Sequence, residues 1–317
     1  VLYPLTAADA AAYTCTLVNS LGTVTSRPAT LSLARAGSAN PARLANLSVR
    51  SVAGTGAQTL TVGFVVGGEV SGAAGTKPLL IRGAGPALAA FGVTGVLADP
   101  ALKLYLGSTV IAANDNWSGD AQVAAASSAV GAFAFTSVAG KDAALYRPGF
   151  TLGAYTVQLT GPDTDAPTGT ALAEIYDATP PSVFTAYTSR LINVAARSVV
   201  GAGGDRLIAG FVIAGSAPKT VLVRAIGPSL AGFGVAGALA DPKLELYSGT
   251  EKLYGNDDWT GAASLAVTAA RVGAFMLSAS SKDALLVVTL EPGAYTAQVS
   301  GVGDATGVAL VEVYEVP

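Results

Sequence analysis

The chain has no histidine, one cysteine and one methionine, and only 12% of its 317 residues are charged. Without histidine it lacks the side chain that most often serves as general base and metal ligand. The lone Cys15 excludes a disulfide within the chain. The net charge is −3 and the basic residues are scattered, so the electrostatic footprint of nucleic-acid binding is missing. No run of about 18 apolar residues exists to build a membrane-spanning helix. The longest apolar stretches, 60–66 and 207–214, are short and interrupted by Gly or Thr, and they read as buried strands. No basic stretch precedes an apolar core at either end. Any export signal is therefore expected to have been removed or to lie outside this segment.

What is present in quantity is apolar surface. Hydrophobic residues make up 51% of the chain, and the mean hydropathy is +0.51. An average globular chain carries about 25% charge, roughly twice the share found here. That imbalance predicts extra burial, both inside β-sandwiches and between subunits.

The chain is also duplicated. Residues 79–117 and 221–259 align without a gap, and 21 of 39 positions are identical. Further landmarks recur in order: Gly63-Phe64 with Gly210-Phe211, Lys141-Asp142 with Lys282-Asp283, Gly153-Ala154-Tyr155 with Gly293-Ala294-Tyr295, and Glu174-Ile175-Tyr176 with Glu312-Val313-Tyr314. A unit this long is a duplicated domain; solenoid repeats have periods of about 20–50 residues. The expected organisation is residues 1–36 as a separate segment, a Gly/Ser/Pro linker at 37–42, repeat one at 43–177, a linker at 178–189 around Pro180-Pro181, and repeat two at 190–317. Within each copy the pattern has period two, as in Leu102, Leu104 and Leu106 or Tyr155, Val157 and Leu159. Such alternation, punctuated by turns such as Asn114-Asp115 and Pro292-Gly293, predicts an all-β chain of two homologous β-sandwich or jelly-roll domains. The Ala-rich stretches 121–126 and 262–271 predict one short helix per copy, and the segments after Gly85-Pro86 and Gly227-Pro228 predict another.

Asp9-x-Ala11-x-Tyr13-x-Cys15, followed by Leu17-Val18-Asn19-Ser20-Leu21-Gly22 and a run through Val24, Leu31 and Leu33, resembles strands F and G of an immunoglobulin-like domain. In that family the Tyr two residues before the Cys forms a corner hydrogen bond. The resemblance covers about a tenth of the chain. Two strands alone do not bury their apolar faces. Residues 1–36 therefore either mark a boundary through an upstream repeat or complete a sheet in a neighbouring subunit. The face of Tyr13, Cys15, Leu17, Leu31 and Leu33 is the candidate subunit joint.

The second half of each copy resembles the bacterial pre-peptidase C-terminal type of β-sandwich. The matching residues are 102–105 leading to Asn114-Asp115-Asn116-Trp117, then 153–157 and Glu174-Ile175-Tyr176, with counterparts at 244–247, Asn256-Asp257-Asp258-Trp259, 293–297 and 312–314. The whole unit is similar to tandem modules of large secreted bacterial surface proteins. This resemblance implies an exported, non-catalytic structural or accessory module.

The most polar spots are these Asn/Asp clusters. Calcium takes six to eight oxygen ligands, so Asn114, Asp115, Asn256, Asp257 and Asp258 are candidate ligands, with Asp99 and Asp241 nearby. Asn and Asp also favour tight turns by bonding their own backbone, and the adjacent tryptophan would then cap the sandwich edge. Trp117 and Trp259 are candidate platforms for sugar rings. Arg82-Gly83-Ala84-Gly85-Pro86 lacks the Gly-Lys-Ser/Thr ending of a phosphate loop, and is read as a strand end and turn. Arg82 and Arg224 are expected to pair with Asp99 and Asp241. Lys141-Asp142 and Lys282-Asp283 are expected in solvated turns, and Glu174 and Glu312 either point outward or accept from an Arg. No serine has a base to serve it. The expectation is thus a non-enzymatic, extracellular bacterial structural protein that polymerises with copies of itself into a fibre, sheath or layer. It would need no cofactor, calcium at the Asn/Asp clusters being the one candidate. The alternative is a carbohydrate-binding or adhesive module with surface glycans as partners.

Overall fold

A computed structural model describes residues 9–31, 40–68, 76–135, 137–161 and 168–317. The chain is all-β, as the alternation predicts. The N-terminal segment forms β1 (Ala11–Tyr13), β2 (Thr16–Asn19), β3 (Gly22–Thr25) and β4 (Ala29–Leu31). The first copy supplies β5 (Arg43–Ala53), β6 (Leu60–Gly67), β7 (Lys77–Ala84), β8 (Ala101–Leu106), β9 (Thr109–Asn114), the helix α1 (Ala121–Ala129), β10 (Ala143–Phe150), β11 (Gly153–Thr160) and β12 (Gly169–Asp177). The second repeats the order: β13 (Arg190–Val200), β14 (Leu207–Ala214), β15 (Lys219–Ile226), β16 (Pro242–Ser248), β17 (Glu251–Asn256), α2 (Ala263–Arg271), β18 (Ala284–Leu290), β19 (Gly293–Gly301) and β20 (Gly307–Glu315).

Each copy folds its strands into two antiparallel layers, and the layers of the two copies join edge to edge. One layer runs β10-β7-β12-β5 from the first copy and continues β14-β19-β16-β17 in the second. The other runs β18-β15-β20-β13 and continues β6-β11-β8-β9. The junctions obey a pseudo-two-fold. Arg50 of β5 faces Ile208 of β14, and its counterpart Arg197 of β13 faces Thr61 of β6. Both junctions carry the same register shift, which leaves Ala45 and Ile192 as the extra residues. Unpaired sheet edges invite association; here each copy's inner edges are covered by the other copy.

Alternation then fixes the core. Inward residues of β5 and β13 meet across the pseudo-dyad: Leu44 and Leu191 form a bridge, and the Ser51 and Ser198 hydroxyls share a buried 2.6 Å hydrogen bond. A single apolar cluster contains residues of both copies, among them Leu47, Val49, Phe64, Val194, Ala196 and Phe211. The linker is fastened as well. Phe184 is buried against the Arg43 guanidinium, 3.8 Å from its ring centre, and its carbonyl accepts from the Asn40 amide.

Local signals place the remaining elements. Asp120 caps α1 by accepting from the Gln122 and Val123 amides, whereas α2 begins at Ala262 with no side-chain cap. Pro86 and Pro228 open short 3-10 helices at the position where a missing N–H costs nothing. The glycine before each proline has a steric reason. A Cβ on Gly85 would lie 2.1 Å from the Leu97 carbonyl oxygen, and one on Gly227 would lie 2.2 Å from that of Leu239.

Candidate functional site

The N-terminal strands form one hairpin, as the F–G resemblance implies. Ala11 lies opposite Leu31 and Tyr13 opposite Ala29; Leu17 lies opposite Val24. The register slips by one residue around Arg27-Pro28, an irregularity that separates the two ladders. Tyr13 donates its hydroxyl to the Asp9 carbonyl at 2.8 Å, a local bond of the kind the F–G resemblance implies. Among the described residues no backbone ladder joins this hairpin to the other sixteen strands. Its apolar side chains face solvent: Leu17 is 71% exposed, Val18 72%, Leu21 94% and Val24 70%. Of the candidate joint residues, Tyr13, Cys15 and Leu17 are exposed and Leu31 is half-buried. Leu33 lies outside the described residues.

The Asn/Asp/Trp clusters sit where β9 and β17 end. Both tryptophans are inside, in keeping with the reading of rings that cap the sandwich edge and against the alternative of sugar platforms. Trp117 is 8% exposed and Trp259 4%. Their indole N–H groups donate to the carbonyls of Ser137 and Ser278. Trp117 packs on Leu80, Val123 and Ala144, and Trp259 on Leu222, Leu230 and Leu285. So small an exposed area leaves little of either ring for a sugar to stack on.

The asparagines are also engaged. Asn114 accepts from the Ala144 amide and donates to the Asn116 carbonyl. Asn256 does the same with Leu285 and Asp258. These bonds stitch each edge strand to its neighbour across the sandwich.

Asp115 and Asp257 are exposed. Asp115 lines an open depression of about 430 Å³ with Asp99, Lys103 and Asn114. Cations of the chain already stand at these acids: Lys141 bonds Asp99 at 2.6 Å, and Lys282 bonds Asp241 at 3.0 Å and reaches Asp258 at 3.5 Å. The carboxylates hold both lysine pKa values above the ordinary value. Among the described residues no group of three or more acidic or thiol side chains is arranged to hold a metal ion.

Lys141 and Lys282 thus occupy the acids expected to pair with Arg82 and Arg224. The arginines instead lie fully buried, and each faces a glutamate across the sheet, Arg82 opposite Glu174 and Arg224 opposite Glu312. The Nε to carboxylate distances are 3.3 Å and 3.0 Å. Each arginine also donates to a carbonyl, that of Phe133 or Phe275. Tyr176 and Tyr314 donate their hydroxyls to the two glutamates at 2.6 Å and 2.7 Å. Burial pushes the Glu174 and Glu312 carboxyls up and the Arg82 guanidinium down. The tyrosine hydroxyls are raised by burial first and by the adjacent glutamates second. Glu174 and Glu312 therefore face inward and pair with the arginines as ions, while they take hydrogen bonds from the tyrosine hydroxyls.

Asp142 and Asp283 depart from the solvated-turn expectation. Both are buried, and they accept from the Gly85 and Gly227 amides at 2.8 Å and 2.7 Å. Only their neighbours Lys141 and Lys282 reach water. The sequence signal for both networks was the recurrence of Arg before Gly-Pro and of Glu-x-Tyr in each final strand. It could be joined only once the strand order put those elements side by side.

The chain matches no protein-family model, and no curated protein matches it.

Proposed function

We propose that this chain is a structural building block of a bacterial cell exterior that polymerises with copies of itself, joined by strand addition through the hairpin at residues 11–31. The observation that carries the proposal is the exposure of Leu17, Val18, Leu21 and Val24 on a hairpin already held in shape by the Tyr13 hydroxyl bond. An isolated hairpin is marginal in water, and its exposed apolar side chains are stabilised when a partner sheet covers them. The double sandwich suits a building block, since its two copies share one apolar core. The exterior location rests on the immunoglobulin-like hairpin and on the resemblance of the repeats to secreted surface modules. The carbohydrate-binding alternative has no specific observation behind it now that both indoles are accounted for in the core.

Sedimentation velocity and negative-stain microscopy across a concentration series test the proposal. The chain is expected to form filaments or sheets, and Leu17→Asp/Val24→Asp to leave it monomeric with an unchanged melting temperature. A wild-type chain that stays monomeric at the highest concentration refutes it.

A further inference from the structure

The two copies are near equivalents, so each serves as a control for the other at its outer end. There the edge strands are β9 and β10 in the first copy, and β17 and β18 in the second. Edge strands are protected from pairing by charge, proline or bulges. β10 carries Arg147 and Pro148 and is bulged after Arg147. Arg147 also donates to the Ile111 carbonyl of β9, closing that seam. β9 and β17 are both bulged, and β17 adds Glu251 and Lys252.

Within its own length β18 has none of these devices; Glu291 and Pro292 come only after its last residue. Its seven residues read Ala-Leu-Leu-Val-Val-Thr-Leu, and its ladder with β15 runs without a shift from Ala284 to Leu290. Registration on β7 and β15 places Val288 where the first copy has Arg147. Thr289 follows where the first copy has Pro148. Leu285 turns its N–H away from β15 to the Asn256 side chain. Val287 and Thr289 share that phase, so their N–H and C=O groups also point off the sheet edge. In the first copy the proline at the last of these positions has no N–H to offer. Thr289 itself is exposed.

The hairpin shows the complementary asymmetry. Its second strand carries Arg27 and Pro28, whereas residues 11–19 contain neither charge nor proline. We infer that the β18 edge is the acceptor for the 11–19 strand of a second copy, the ladder forming at Val287–Leu290. This inference rests on the assembly reading above and names its missing half. Donor and acceptor are different surfaces, so the contact is head-to-tail and propagates instead of closing on a two-fold.

The test uses the full chain. Thr289→Pro, which copies Pro148, and Thr289→Lys, which adds an edge charge, are each compared with wild type by sedimentation, microscopy and thermal melting. Loss of assembly with unchanged melting in either variant is the expected result; the lysine variant decides if the proline one is destabilised. Assembly equal to wild type in both stably folded variants overturns the acceptor. If Leu17→Asp/Val24→Asp still abolishes assembly in that case, the hairpin reading survives. If the hairpin variant assembles too, that reading falls with it. A second readout uses Cys15 as the sole native thiol. Thr289→Cys treated with a short bis-maleimide should give a ladder of covalent oligomers that Cys15→Ala removes. Assembled material that yields no ladder counts against the inference.

Discussion

Replacing Arg82 with methionine should show what the buried Arg82–Glu174 pair does for this fold. Both side chains are essentially out of water, so removing the cation leaves a carboxylate desolvated and uncompensated. Breaking a buried pair this way costs about 3–5 kcal/mol. Arg82 also stands over two rings, Phe133 at 4.3 Å and Phe135 at 4.1 Å, whereas Arg224 stands over Phe275 alone at 4.2 Å. Arg82→Met should therefore cost more than Arg224→Met by about 0.5–2 kcal/mol, the worth of one desolvated cation–π contact. At about 2 °C per kcal/mol for a fold of this size, the melting temperature falls by about 6–10 °C.

The loss must also depend on pH. Burial raises the Glu174 carboxyl above its ordinary value, and the variant no longer has the guanidinium that opposes this. The folded variant then binds a proton more readily than its unfolded chain. Its stability rises as pH falls, and is lost as pH rises through the elevated pKa. Arg82→Met/Glu174→Gln, which keeps an acceptor for Tyr176, should recover at least half of the loss at neutral pH. Differential scanning calorimetry at pH 5 and pH 7.5 measures all of this. A single variant whose loss is the same at both pH values, or a double variant no more stable than the single, refutes the reasoning.

Two further outcomes are expected. Gly85→Ala and Gly227→Ala should each destabilise by about 1–3 kcal/mol or more in chemical denaturation, because the new methyl meets a backbone carbonyl that has no rotamer to escape into; variants within experimental error of wild type would contradict the close approach. Millimolar calcium should leave the wild-type melting temperature unchanged, since the Lys141 and Lys282 ammonium groups already stand at Asp99, Asp241 and Asp258; a rise of several degrees would reinstate the acid clusters as an ion site.

Much of this was legible in the residues. Period-two alternation marked Leu102, Leu104 and Leu106 or Tyr155, Val157 and Leu159 as inward strand positions, because a strand turns alternate side chains to one face; of these only Leu106, at the end of β8, is exposed. Asp-x-Ala-x-Tyr-x-Cys gave the hairpin and its Tyr13 bond, since both are local in sequence. The acid clusters were not legible. Whether Asp99 meets Arg82 or Lys141 depends on which strands are neighbours, and Arg82 meets Glu174 because β12 lies beside β7. For Trp117 and Trp259 the residues left two readings open, a cap on the sandwich edge or a sugar platform, and the packing of α1 and α2 over them favours the first.

The sequence by itself determined that the chain is a doubled set of short strands with few charges, because composition, periodicity and repetition are properties of the chain alone. The tertiary structure decided that the two copies join through β5 with β14 and β6 with β13, and which strand edges that junction leaves uncovered. Backbone N–H and C=O groups are the same in every residue, so edge pairing carries almost no signature in side-chain identity. It is settled only when whole layers are brought together, which is also why the open edge at β18 emerged from comparing the two copies in space.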